Sequence, residues 1–132
     1  MNRVIIIPAL GDNYIYLYRD SRGDAFVVDP GQSRAVFEAL KKQQLNLKAA
    51  LITHNHFDHT GGVAELKKKT GCEVFEPGDS NKIEICGVHI NVIQTPGHTR
   101  DSVCYYVRPN DNHDSMVFTG DTCLRARRAR PW

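Results

Sequence analysis

The stretch THNHFDHTGG, residues 53–62, holds four side chains of metal-binding type, His54, His56, Asp58 and His59. Imidazole nitrogens and carboxylate oxygens are the donors that zinc and similar divalent metals take. A chain of this composition contains HxHxDH by chance on the order of once in a thousand. In a loop after a strand, His54 and His56 can converge on one ion, and Asp58 and His59 can turn towards a second. We therefore predict a metal-binding loop, in preference to a merely solvated one.

The residues before this loop predict how the sheet presents it. Residues 25–28 and 49–53 are typical of buried strands, and between them lies a helix expected to run from an N-cap at Ser33 to about Gln44. A strand–helix–strand unit of this length indicates two parallel neighbouring strands. The loop then begins at the carboxyl end of a strand, where open α/β sheets commonly bind ligands.

Two later motifs stand at equivalent positions. TPGHT, residues 95–99, places His98 just after one predicted strand, and FTGDT, residues 118–122, places Asp121 just after another. Either motif alone is typical of a simple turn. Beside the first cluster they become candidate ligands, and we predict that all six side chains meet at one edge of the sheet.

The remaining pattern adds strands and one short helix. Strands are predicted at residues 4–7, 14–18, 73–75, 82–85, 88–94, 102–107 and 116–119, and a helix at 63–69 that Gly71 ends. His89 and His113 are interpreted as structural. The class is α/β with a mixed sheet and flanking helices. With 132 residues and no linker or repeat, residues 1–132 are predicted to form one domain.

Composition excludes several classes of protein. Lysine and arginine number 17 against 15 acidic residues, a net charge of +2, so we expect no nucleic-acid partner despite the arginines at 125–130. Apolar runs such as that at residues 4–7 are too short to span a membrane, and no secretory signal is visible. The four cysteines form no CxxC pair, which indicates reduced thiols rather than a disulfide framework. We expect a cytoplasmic location, the mitochondrial matrix being the alternative.

The three motifs, in this order, resemble the metallo-β-lactamase superfamily. PALGDNYIYL, residues 8–17, is similar to its glyoxalase II (hydroxyacylglutathione hydrolase) branch. The resemblance implies the N-terminal part of an αββα sandwich and up to two zinc ions, with iron or manganese as alternatives. It implies that His54, His56 and His98 bind the first ion. Asp58 and His59 would bind the second, and Asp121 would bridge the two.

The same resemblance implies hydrolysis of S-(2-hydroxyacyl)glutathione, such as S-lactoylglutathione, to a 2-hydroxy acid and glutathione, a step in methylglyoxal detoxification. The nucleophile would be a metal-bound hydroxide, which Asp58 helps to orient, and the metals would stabilise the oxyanion. No serine or cysteine nucleophile is needed. The predicted partner is therefore a small glutathione thioester.

The sequence departs from the family after the GDT motif. The family continues with a Leu-Phe-x-x-Gly-Cys-Gly-Arg/Lys-like segment, a further metal-binding histidine and a helical domain, whereas this chain reads CLRARRARPW, residues 123–132. Arg130 falls at the basic glutathione-contacting position, but Arg127 and Ala129 replace glycines. The resemblance thus predicts a truncated family domain with a weaker second metal, low thioesterase activity, and a sheet face left uncovered that favours self-association.

Two other functions remain open at this point. A persulfide dioxygenase-like enzyme would hold one iron through two histidines and an aspartate, a set that His54, His98 and Asp121 can supply. A catalytically impaired fragment that binds metal or a partner chain is the non-enzymatic alternative.

Overall fold

Two five-stranded sheets pack face to face in the computed structural model, which describes residues 3–8, 14–53, 62–77, 81–94, 103–109, 115–119 and the backbone of 123–126. The first sheet contains β1 (Val4–Pro8), β2 (Tyr14–Arg19), β3 (Asp24–Val28), β4 (Asn46–Leu51) and β5 (Glu73–Phe75), neighbours in that order. The second contains β6 (Lys82–Ile85), β7 (Val88–Gln94), β8 (Val103–Pro109), β9 (Ser115–Phe118) and β10 (Cys123–Ala126), also neighbours in chain order.

The first sheet is mixed. Strands β1 to β3 are antiparallel, whereas β3 pairs with β4, and β4 with β5, in parallel. Helix α1 (Arg34–Gln43) connects β3 to β4, so the predicted strand–helix–strand unit is confirmed. The second sheet is antiparallel throughout. The predicted α/β class with a mixed sheet and flanking helices is thus confirmed, with an antiparallel sheet as the second layer.

The two described helices end close to the predicted residues, Gln44 and Gly71, and each is followed by a left-handed residue. Gln44 has φ 56° after α1, and Gly71 has φ 72° after α2 (Val63–Thr70). The start of α1 differs from the prediction in one respect. Ser33 is the N-cap residue but makes no side-chain capping bond. Its hydroxyl donates instead to Glu65 Oε1 at 2.8 Å, which joins the starts of the two helices.

Two apolar clusters account for the layering. One lies between the sheets and includes an aromatic group in which Phe26 stacks on Tyr18, at 4.9 Å between ring centroids, and meets Phe118 edge-on. The other lies between the first sheet and the helices, which contribute Val36, Leu40 and Leu66. Val36 and Leu40 are four positions apart and therefore share one face of α1.

Strand β10 is the element that the sequence analysis missed. Its sequence, CLRA, lacks the alternation that signals a strand, yet its backbone pairs with β9 in antiparallel register, Cys123 opposite Phe118. The predicted strands at 73–75, 82–85 and 88–94 have the observed bounds. The others differ by one or two residues at an end, except that β4 begins three residues before the predicted start at residue 49. Within the described part of the chain, no helix is long and apolar enough to cross a membrane.

Candidate metal centre

The predicted site residues fall outside the described residues. His54, His56, Asp58 and His59 belong to residues 54–61, His98 to 95–102, Asp121 to 120–122 and Arg130 to 127–132. Among the residues that the structure does describe, no group of three or more His, Cys, Asp or Glu is placed to hold a metal. The ligand assignment therefore stays a prediction. The described residues that flank these segments show where in the fold each segment begins and ends.

The segments that carry the candidate ligands begin and end close together. Strand β4 leads through Thr53 into residues 54–61, and β7 and β8 flank residues 95–102, with Gln94 paired to Val103. The Val103 N–H donates to the Thr53 carbonyl at 2.8 Å. A direct hydrogen bond thus joins a residue at the start of the first segment to one at the end of the second.

The third segment leaves the same end of the second sheet. Residues 120–122 connect β9 to β10, and Phe118, the last residue of β9, pairs with Tyr105 on β8. Tyr105 is two positions from Val103, so the end of β9 lies beside the start of β8. The flanking residues of all three segments therefore lie at one end of the two-sheet structure.

A buried carboxylate fixes the start of residues 54–61. Asp29 follows β3 directly, has φ 51° and is 1% exposed. Its Oδ1 accepts the Thr53 N–H at 2.8 Å, and its Oδ2 accepts the Thr53 hydroxyl at 2.6 Å. Its own N–H donates to the Leu51 carbonyl at 2.9 Å. Asp29 thus holds the residue that immediately precedes His54.

Gly62 fixes the other end of this segment. Its N–H donates to the Pro30 carbonyl at 2.8 Å. A Cβ on Gly62 would lie 2.5 Å from the Gln32 carbonyl carbon and 2.6 Å from the Ser33 nitrogen, so only glycine fits there. Thr53 and Gly62, the described residues on either side of residues 54–61, are therefore both hydrogen-bonded to the turn formed by residues 29–33, Thr53 through the Asp29 carboxylate and Gly62 through the Pro30 backbone.

Sequence reasoning missed the role of Asp29. From its composition alone, the DPG sequence at residues 29–31 indicates only that a strand ends there. One sequence signal could have identified this role. Asp29 stands at the carboxyl end of one strand, and the parallel strand beside it leads into the segment that carries the candidate ligands. An acidic side chain there faces the backbone N–H groups of the neighbouring loop, because parallel strands end side by side.

The Cys86 thiol is not an activated nucleophile. Cys72, Cys86 and Cys104 are present as thiols. Burial, followed by the nearby carboxylates of Asp20 and Asp24, raises the pKa of the Cys86 thiol to about 12. A nucleophilic cysteine needs a lowered pKa. His89, predicted to be structural, lies on β7 with its Nδ1 2.9 Å from Glu84 Oε1.

Comparison with known proteins gives one consistent answer. Residues 9–83 match the metallo-β-lactamase superfamily. The hydroxyacylglutathione hydrolase of Albidiferax ferrireducens is 39% identical over 94% of this chain and 52% of its own length, and that of Methylobacillus flagellatus is 40% identical over 96% and 53%. The chain thus spans about half the length of these relatives.

A solved structure shows the same fold. The B3 metallo-β-lactamase BLEG-1 superposes with a TM-score of 0.73 over 78% of this chain and 66% of its own. At 24% identity, this likeness concerns the fold alone.

Proposed function

Because the chain belongs to the metallo-β-lactamase superfamily, we propose that it is a metal-dependent thioesterase that hydrolyses S-(2-hydroxyacyl)glutathione to a 2-hydroxy acid and glutathione. The observation that carries this proposal is the 39% identity with a hydroxyacylglutathione hydrolase across 94% of the chain. The proposal is also supported by the position of the residues that flank the three segments carrying the candidate ligands, since these flanking residues lie at one end of the fold. S-Lactoylglutathione is the representative substrate.

The proposed donor set suits zinc. His54, His56 and His98 would hold one ion, Asp58 and His59 a second, and Asp121 would contact both. Histidine and carboxylate donors with few protein ligands per ion are typical of catalytic rather than structural zinc sites. When bound, such ions lower the pKa of water and polarise a carbonyl, which is the chemistry that thioester hydrolysis requires.

The chain's own residues have distinct proposed tasks. Asp58 orients the attacking water through its carboxylate, and Asp29 and Gly62 hold the segment that contains Asp58. Arg130 contacts the glutathione part of the substrate through its guanidinium. A thiolate is a good leaving group, so the reaction needs little help from a protein acid. In this account no covalent intermediate forms on a serine or cysteine.

The test combines metal analysis with kinetics on the purified chain. We expect zinc to co-purify and S-lactoylglutathione to be hydrolysed at a low but measurable rate that His56→Ala abolishes. A simple lactoyl thioester without the glutathione peptide serves as the comparison substrate, and Arg130→Ala should raise the KM of the glutathione substrate alone.

Three outcomes would contradict the proposal. Zinc-loaded protein without thioesterase activity would favour a non-catalytic metal-binding chain. Iron in place of zinc, with oxygen consumed in the presence of a glutathione persulfide, would favour dioxygenase chemistry. A glutathione preference that Arg130→Ala leaves intact would remove Arg130 from the substrate contacts.

A further inference from the structure

The hydroxyl of Tyr105 joins the two sheets beside the residue at which β4 ends. Tyr105 lies on β8 in the second sheet, and its side chain is 1% exposed in the core between the sheets. The hydroxyl donates to the Ile52 carbonyl, at 2.5 Å, and lies 3.3 Å from the Phe75 carbonyl. Both carbonyls belong to the ends of neighbouring strands, β4 and β5, in the first sheet.

The contacted residues are close to the candidate ligands along the chain. Ile52 is two positions before His54, and its N–H donates to the same Phe75 carbonyl at 2.9 Å. On the second sheet, Val103 connects β8 to the His98 segment and donates to the Thr53 carbonyl. Strand β8 therefore contacts the end of β4 twice, once through a backbone N–H and once through the Tyr105 hydroxyl.

The candidate ligands are divided between the two sheets. His54, His56, Asp58 and His59 follow β4 of the first sheet, whereas His98 and Asp121 flank β8 and β9 of the second. A zinc ion requires its nitrogen donors at about 2.0–2.1 Å. A centre assembled from both sheets therefore depends on their spacing at this end, and small errors in spacing weaken every bond across it.

We propose that Tyr105 is a positioning residue whose hydroxyl sets this spacing and thereby the affinity and geometry of the metal centre. The inference rests on the ligand assignment of the proposed function. Tyr105 itself touches neither substrate nor metal in this account. Its ring packs in the core, so Tyr105→Phe removes the hydrogen bonds and retains the apolar contacts.

Tyr18→Phe is a matched control. Tyr18 is fully buried in the same core, and its hydroxyl accepts a hydrogen bond from Arg3 Nη1 at 3.2 Å. It lies on β2 opposite Phe26, two residues from the end of β3 at which Asp29 begins the anchoring turn. Both substitutions therefore remove one hydroxyl from the same core. The bond from Arg3 to Tyr18 lies within the first sheet, whereas the Tyr105 hydroxyl bonds across the sheets at the end of β4.

The measurements are Zn²⁺ affinity by chelator competition and the visible absorption spectrum of the Co²⁺-loaded chain, which reports ligand geometry. We expect Tyr105→Phe to weaken zinc binding about tenfold or more and to change the cobalt spectrum, a size typical of outer-shell substitutions. Tyr18→Phe should change neither. If Tyr105→Phe does not fold, difluorotyrosine can replace Tyr105 or Tyr18, which alters the hydrogen bonding of that hydroxyl. We expect the replacement of Tyr105 to change metal binding and the replacement of Tyr18 to leave it unchanged.

A third variant separates this inference from the ligand assignment. If His56→Ala loses the tight zinc step while both Tyr105 and Tyr18 variants bind like the parent chain, the positioning role is wrong and the ligand assignment stands. If His56→Ala leaves tight binding intact, the ligand assignment fails and the role of Tyr105 fails with it. Equal losses in the Tyr105 and Tyr18 variants would show a general stability effect and overturn the positioning role.

Discussion

Thr53 donates two hydrogen bonds to Asp29, one to each carboxylate oxygen, at 2.8 and 2.6 Å, although 24 positions separate the two residues in the chain. Both residues are 1% exposed. A buried carboxylate that accepts a backbone N–H and a hydroxyl fixes the direction in which the chain leaves β4. The relationship therefore connects the turn after β3 to the first residue of the candidate metal-binding segment.

Substitution of Asp29 should destabilise the folded chain by an amount that depends on the hydrogen bonds and the backbone conformation that the new residue supports. Asp29→Ala removes a partner from two buried donors and puts alanine at φ 51°, so we expect a loss of about 2–4 kcal/mol in the free energy of unfolding. Asp29→Asn should lose less, because asparagine tolerates this conformation and retains an acceptor for the Thr53 N–H. Urea denaturation of the metal-free variants measures both. Equal losses would argue against the hydrogen-bond account.

Gly62→Ala should disturb the other anchor of the same segment. The new Cβ would meet the backbone atoms of Gln32 and Ser33 at 2.5 and 2.6 Å, which no side-chain rotation can relieve. We expect a loss of about 3 kcal/mol in the free energy of unfolding, at the upper end of overpacking costs, and weaker zinc binding.

Gly71→Ala is the control for this prediction. Gly71 has φ 72° with nothing within 4 Å of an added Cβ, so alanine there costs only backbone strain, about 1 kcal/mol. Denaturation curves and zinc titrations of both variants make the comparison. A Gly62→Ala chain as stable as Gly71→Ala would contradict the close packing of Gly62 on the turn.

The Cys86 thiol should make stability depend on alkaline pH. Its pKa is about 12 in the folded chain against 9.0 for an ordinary cysteine. Between these values the unfolded state binds fewer protons than the folded state, so this group's contribution to stability falls as pH rises. As the pH rises from 9 to 11, the free energy of unfolding should therefore fall less for Cys86→Ala than for the parent chain. Parallel denaturation series that decline equally would contradict the raised pKa.

The sequence predicts local structure here better than it predicts long-range contacts. Gly71 ends α2 and Cys86-Gly87 forms the turn between β6 and β7, because left-handed residues are marked locally by glycine and turn composition. The parallel pairing of β3 with β4 follows from the helix between them. Strand β10 was missed because backbone pairing with β9, rather than an apolar pattern, defines it.

The contacts that hold the residues flanking the candidate site could not be predicted either, because they join residues far apart in the sequence. An alternating strand pattern indicates that Tyr105 faces the core but not that its hydroxyl reaches Ile52 on the other sheet. Likewise, Ser33 was correctly identified as an N-cap, yet its hydroxyl contacts Glu65, a residue 32 positions away. The candidate ligands themselves were identified from composition and spacing alone, and their geometry stays a prediction.

Calorimetric titration of the metal-free chain with Zn²⁺, beside His56→Ala and His59→Ala, tests the central claim most directly. With Asp121 counted at both ions, the proposed His54, His56 and His98 site would have four protein ligands and the proposed Asp58 and His59 site would have three. We predict a tight and a weaker step in the parent chain, with the tight step lost in His56→Ala and kept in His59→Ala. A tight step that survives His56→Ala, or that disappears in His59→Ala alone, would contradict the assignment.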